Sequence, residues 1–208
     1  MKKILLISSL FLGGAAMSQT YVSTTPENKN VVLEEFTGIH CTYCPDGHKK
    51  AQQLKDNNPG DVILVNVHTG GYATPGNGEP DFRTSFGSGL GNQSDLTGYP
   101  AGTVNRKVFS SYAMDGGTAM GRSSWQAAGA TILTEPSYVN VAGEATLDVQ
   151  NRELTVEVEY YYTGASPQST NKLNVALYRI MLKGHKQVQN HSIRLIFCQM
   201  EITIINIC

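Results

Sequence analysis

The chain has 208 residues, 40% of them hydrophobic and 16% charged, with 16 Lys and Arg against 17 Asp and Glu. A formal net charge of −1 gives no basic surplus for a phosphate backbone, so nucleic acid is not an expected partner. The length suits one medium domain or two small ones, each able to bury a core.

Residues 1–18 read as a secretory signal. Lys2 and Lys3 precede an apolar stretch from Ile4 to Met17, and Ala16-Met17-Ser18 supplies a small-x-small cleavage site before Gln19. The stretch is too short and too interrupted by glycine for a bilayer anchor, and no cysteine follows it to carry lipid. The expected mature chain is exported and soluble, with a net charge of about −3 once two lysines are removed. In an oxidising compartment a cysteine pair can be a plain structural disulfide, so a redox role has to come from its surroundings.

Val31 to Phe36 is a strand candidate, and Pro45 to Lys55 is a helix candidate ended by Asn57-Asn58-Pro59-Gly60. Val62 to Val67 is a nearly continuous apolar run, which predicts a strand buried on both faces of a parallel sheet. Together they form a βαβ unit. Thr69 to Gly98 is rich in Gly, Pro, Asn and Ser and reads as an inserted set of surface loops, with a short helix from Asp81 to Leu90. Ala101 to Phe109 predicts a further strand region, and Met120 to Leu133 a helix holding the only tryptophan, Trp125.

Glu135-Pro136 marks a boundary. Beyond it the pattern alternates with period two at 138–141, 145–149 and 154–160, with turns at Asn151 and Gly164 and another strand from Leu173 to Ile180. Short strands at this spacing predict an antiparallel β-sandwich, with alternation turning part of Tyr160-Tyr161-Tyr162 into its core. The stretch after Tyr160 has Glu201 as its only acid and ends in the apolar run Ile202 to Ile207. It reads either as two more strands or, from about residue 181, as an aberrant tail. Cys198 and Cys208 either pair across a hairpin or stay unpaired.

Cys41-Thr42-Tyr43-Cys44-Pro45 stands where the first strand gives way to the first helix. Partial positive charge at a helix start favours thiolate over thiol, which makes Cys41 the nucleophile. Cys44, one turn along, resolves the mixed disulfide. The plainer alternative is a fixed disulfide that never turns over. His40 and His48 bracket the pair, and His68 ends the second strand at the same sheet edge, so a third reading is a copper-handling site of two thiolates with His40 or His68. Ligand spacing is loose, and no metal is assigned. Pro45 stands where covalent haem attachment requires histidine.

Leu33-Glu34-Glu35-Phe36, the Cys41–Cys44 motif and Gly98-Tyr99-Pro100 together make residues 31–109 resemble the thioredoxin superfamily. The resemblance implies Glu35, six residues before Cys41, as a buried acid that accepts the second thiol's proton. It implies Pro100 as a cis-proline beside the sulfurs, with Tyr99 and Pro100 presenting backbone to an extended substrate. The alternatives are a Glu35 turned to solvent beside Glu34 and an ordinary turn proline at 100. Thr-Tyr replaces the Gly-Pro between thioredoxin's cysteines, and His40 replaces the usual aromatic, changes that alter redox poise.

The phrase from Glu34 to Pro45 and the segment from Gly98 to Arg106 also make the chain resemble the family related to the 28-kilodalton outer membrane protein of anaerobic and marine bacteria. The fold class that follows is an α/β thioredoxin-like domain, residues 19–135, followed by an all-β immunoglobulin-like sandwich, residues 136–208. The expected function is thiol–disulfide exchange on envelope proteins, whose thiols or disulfides are the partners. Contact with a membrane is at most peripheral, and no cofactor is implied. A different class of reading is a surface binding or adhesion protein that keeps the disulfide as a static clasp.

Overall fold

A computed structural model describes residues 21–179 and 200–207. The expected signal segment, Ile180, Cys198 and Cys208 lie outside these residues.

Val31–Thr37 forms β1, Cys44–Asn57 forms α1 and Val62–His68 forms β2. The two strands pair in parallel from Val31↔Val62 to Thr37↔His68. A 3₁₀ turn at Gly71–Ala73 precedes α2, Ser85–Gln93. Ala101–Val104 forms β3, Met120–Gly121 forms β4 and Trp125–Leu133 forms α3. Strands β3 and β4 join the sheet in antiparallel fashion, giving the order β2-β1-β3-β4.

Four expectations change at this level. The strand buried on both faces is β1, all of whose residues are buried, whereas β2 lies at the sheet edge with Ile63, Leu64 and Val65 half-buried. The β3 segment stops at Val104 rather than Phe109, because Asn105 and Arg106 take left-handed φ values of 50° and 47°. Asn105 continues the ladder with its side chain: Val32 N–H donates to Asn105 Oδ1 at 2.9 Å, and Asn105 Nδ2 donates to the Asn30 carbonyl at 2.8 Å. The helix expected from Met120 starts at Trp125, since Met120 and Gly121 pair with Gly102 and Ala101. Helix α2 starts four residues later than expected, where the Thr84 side chain accepts the Gly87 N–H at 3.0 Å and caps it.

Trp125 is fully buried with Val31, Leu33, Ala51, Leu54, Val104, Met120 and Ile132. This core fastens α1 and α3 to β1 and β3. The Trp125 indole N–H donates to the Met120 carbonyl at 3.3 Å, so burying the ring leaves its polar atom satisfied.

The remaining described strands are antiparallel ribbons. β5, Val139–Asp148, pairs with β6, Glu153–Tyr162, and β7, Lys172–Arg179, pairs with β8, Met200–Ile207. The segments read at 138–141 and 145–149 are thus one strand. Asp148 ties the β5–β6 turn by accepting the backbone N–H groups of Gln150 and Asn151. The tyrosine run does not fill a core among the described residues: Tyr160, Tyr161 and Tyr162 are all exposed, with Tyr162 stacked on Tyr138 at 6.4 Å. An α/β unit followed by an antiparallel β region is therefore the architecture.

Candidate functional site: a disulfide above a buried carboxylate

Cys41 and Cys44 form a disulfide with a Cα–Cα separation of 5.4 Å. Cys44 opens α1 and Pro45 follows in the first turn, where a missing N–H is harmless. The helix N-cap, Tyr43, makes no side-chain hydrogen bond to the first turn, so the N-cap side chain does not occupy the helix start beside the sulfurs. Cys41 N–H donates to the Gly38 carbonyl at 3.1 Å, and His40 N–H to the Tyr72 carbonyl at 3.0 Å. A Cβ on Gly38 would stand 2.3 Å from the Tyr72 carbonyl carbon, so only glycine lets this loop seat against the 3₁₀ turn.

Access to the two cysteines is unequal but narrower than the sequence predicts. Cys41 keeps 8% of its surface and Cys44 only 1%. The Cys41 amide is tied back to the Gly38 carbonyl, and the side chain is buried rather than projected.

Glu34 and Glu35 are both buried, 3% and 2% exposed, so the alternative of a solvent-facing Glu35 does not hold. Alternation sends them to opposite faces of β1, but both faces are covered. Glu34 receives the Arg106 guanidinium, with Nε donating at 2.7 Å. The Glu35 Oε2 atom lies 3.0 Å from His48 Nδ1, and its Oε1 is buried with no hydrogen-bond partner among the described residues.

The Tyr99–Pro100 bond is cis. A Cβ added to Gly47 would lie 2.6 Å from Glu35 Oε1 and 3.0 Å from Pro100 Cβ, which puts carboxylate and proline together under the first turn of α1. Gly47 follows Cys44 by three residues, on the same helical face. Tyr99 edges onto Tyr72 at 5.7 Å, and burial pushes its phenol above the ordinary value against the opposing hydrogen bond with Thr69. Beside it a cleft of about 500 Å³ is lined by Thr69, Gly70, Ser88, Leu96, Tyr99 and Asp115. All the sequence-derived site residues thus lie at one sheet edge, the C-terminal end of β1 where β3 begins.

Three contributors escape a reading of the sequence. Gly47 and the Glu35–His48 contact depend on how α1 lies over β1. Arg122, 76 residues from Asp46, forms an ion pair with it and lies 5.8 Å from the Tyr43 ring centre. Its hydrogen bond holds the Asp46 carboxyl below the ordinary range, and its charge offsets an anion that otherwise opposes a thiolate nearby.

The histidines are drawn elsewhere than the sulfurs. His40 Nε2 pairs with Glu79 at 2.8 Å, His48 with Glu35, and the His68 ring lies against Phe82 with centroids 5.1 Å apart. Among the described residues no group of three or more His, Cys, Asp or Glu side chains is placed to hold a metal ion. No described helix is long and apolar enough to cross a membrane.

His48 titrates above its ordinary value of 6.5, because the hydrogen bond to Glu35 and the attraction of its charge outweigh the lowering effect of burial. A raised folded-state value stabilises the fold fully below about pH 6.5, and that contribution is lost as pH rises through the folded-state value. The urea midpoint should therefore differ most between the natural chain and His48→Gln on the acid side, and converge above the window. With the His48 side chain 42% exposed, the difference should stay below about 1 kcal/mol.

A βαβ unit, then a helix, two antiparallel strands and a helix, with a Cys-x-x-Cys disulfide at the first helix and a cis-proline beside that turn, is consistent with the thioredoxin-like domain expected from the sequence. Among solved structures the chain is similar to HBP35 of Porphyromonas gingivalis, with 17% sequence identity and a TM-score of 0.49 over 77% of this chain and 51% of that one. It therefore spans about half the length of that protein. No protein-family model matches the sequence, and no curated protein matches it.

Proposed function

We propose that the chain is an exported thiol–disulfide oxidoreductase-like protein that acts on the thiols or disulfides of envelope proteins, with at most peripheral membrane contact and no cofactor. The β region completes an immunoglobulin-like sandwich that holds or presents the redox domain. The observation that carries the reading is the Oε1 of Glu35, buried without a hydrogen-bond partner among the described residues, beneath the turn that begins at Cys44, with Pro100 alongside. A buried acceptor left without a hydrogen bond is expensive in a structural clasp and useful where a thiol must lose its proton.

In the reducing direction, the Cys41 thiolate attacks a substrate disulfide, forming a Cys41 mixed disulfide and expelling one substrate sulfur as thiolate. The Cys44 thiol gives its proton to Glu35, attacks the Cys41 sulfur and expels the second substrate thiolate. Two electrons have then passed from the pair to the substrate, and the Cys41–Cys44 bond is restored. The reverse sequence oxidises a substrate dithiol, and relative reduction potentials set the direction.

The narrow exposure of Cys41 favours the second reading, a surface binding or adhesion protein with a static clasp. The reduction potential of the pair separates the two. A redox titration against glutathione and dithiothreitol should give a value between about −270 and −120 mV for a working pair, and one below about −300 mV means a clasp.

A further inference from the structure

We propose that His48 is the proton relay of the dithiol site, carrying protons between the buried Glu35 carboxylate and solvent. The inference rests on the exchange reading above and assigns its proton route. Glu35 is 2% exposed, so its carboxylate cannot trade protons with bulk water directly. One oxygen, Oε1, faces the first turn of α1, and the other is taken by His48 Nδ1 at 3.0 Å. The His48 side chain is 42% exposed, which makes it the route by which this carboxylate reaches water. Its second nitrogen, Nε2, lies 3.5 Å from Thr37 Oγ1 on β1.

The proton balance is simple. At rest the imidazolium faces the carboxylate. When Cys44 gives its proton to Oε1, the carboxyl becomes neutral and the imidazolium loses its counter-charge. It then releases one proton to water from its exposed edge and takes the proton from Glu35, which restores the ion pair. The pair is neutral overall before and after, so no net charge is stranded in the low-dielectric interior. When the Cys41–Cys44 bond is cleaved, His48 passes its proton through Glu35 to the leaving Cys44 thiolate and takes another up from solvent. The titratable groups that act on or feel His48 are Glu35 on β1 and His68 on β2, whose own protonation is opposed first by burial and then by the charge of His48.

The test uses the reduced full-length chain and an aromatic disulfide whose released thiolate absorbs visible light. The first release reports attack by Cys41, the second attack by Cys44. In His48→Ala the first release should keep its rate while the second slows on the order of tenfold or more, since general acid–base assistance contributes about 10²–10⁴-fold in full. Added imidazole should restore the second rate in proportion to its concentration. His48→Gln, which preserves size and hydrogen bonding, should stay slow and lose the pH dependence of the second step. A second release at the natural rate in both variants overturns the relay alone, as does slowing that imidazole fails to rescue and that leaves the pH profile unchanged. An unsubstituted chain that never gives the second release overturns the exchange function and the relay together.

Discussion

Cys41→Ser should abolish the proposed disulfide exchange, while Cys44→Ser should halt it midway with substrate held on Cys41. The asymmetry follows from access and order. Cys41 retains the larger share of exposed surface and precedes the helix, whereas Cys44 is 1% exposed and opens it. Only a sulfur that an incoming group can approach in line can start the exchange, and without it the buried thiol has no mixed disulfide to resolve. An insulin-reduction assay should show Cys41→Ser at the uncatalysed background rate. Mass spectrometry of Cys44→Ser should show an adduct on Cys41 that accumulates and is released by dithiothreitol. Residual turnover in Cys41→Ser, or an adduct on Cys44, contradicts the assignment.

Arg106→Ala should be the most destabilising single change outside the hydrophobic core, at about 3–5 kcal/mol. Glu34 is 3% exposed, and the Arg106 guanidinium grips both of its oxygens, with Nε at 2.7 Å and Nη2 on Oε1. Removing the cation leaves a carboxylate buried in a central strand with no counter-charge. The double change Glu34→Leu with Arg106→Leu should recover most of the loss, because an apolar pair of similar volume avoids desolvating two ions. Guanidinium unfolding midpoints of the three variants check this. A single variant within about 1 kcal/mol of the natural chain would show that the pair is hydrated enough to stand alone.

Much of this site is legible in the sequence because its parts are local. The strand Val31 to Phe36, the Cys-x-x-Cys spacing, the Pro45 start and the Asn57–Gly60 stop all lie within thirty residues. Glu35 and Pro100 come from the resemblance to thioredoxins, and the structure brings both to the turn that Cys44 begins. What escapes is set by contacts between distant segments. Nothing in Glu34-Glu35 announces that both side chains are covered, since Arg106 is 72 residues away and reaches Glu34 only because Asn105 and Arg106 itself take left-handed φ values. Alternation likewise cannot distinguish a strand at a sheet edge from one at its centre. For β2 the apolar run suggests a centre, and the sheet order puts it at the rim. The start of α3 is hidden for a related reason: Met120 and Gly121 take the strand form because β3 offers them partners. Periodicity carries no record of such an offer.

The Tyr72 carbonyl that receives the His40 amide gives the glycine-rich stretch from 69 to 98 a mechanical role. What looks like ornament strung between two strands is a strut for the perch on which the sulfurs sit. Its backbone crosses so near Gly38 that a single methyl group there would prise the two apart. Shortening or rerouting this stretch should therefore displace the turn that carries Cys41 from behind, with Cys41, Cys44, Glu35 and Pro100 themselves left in place.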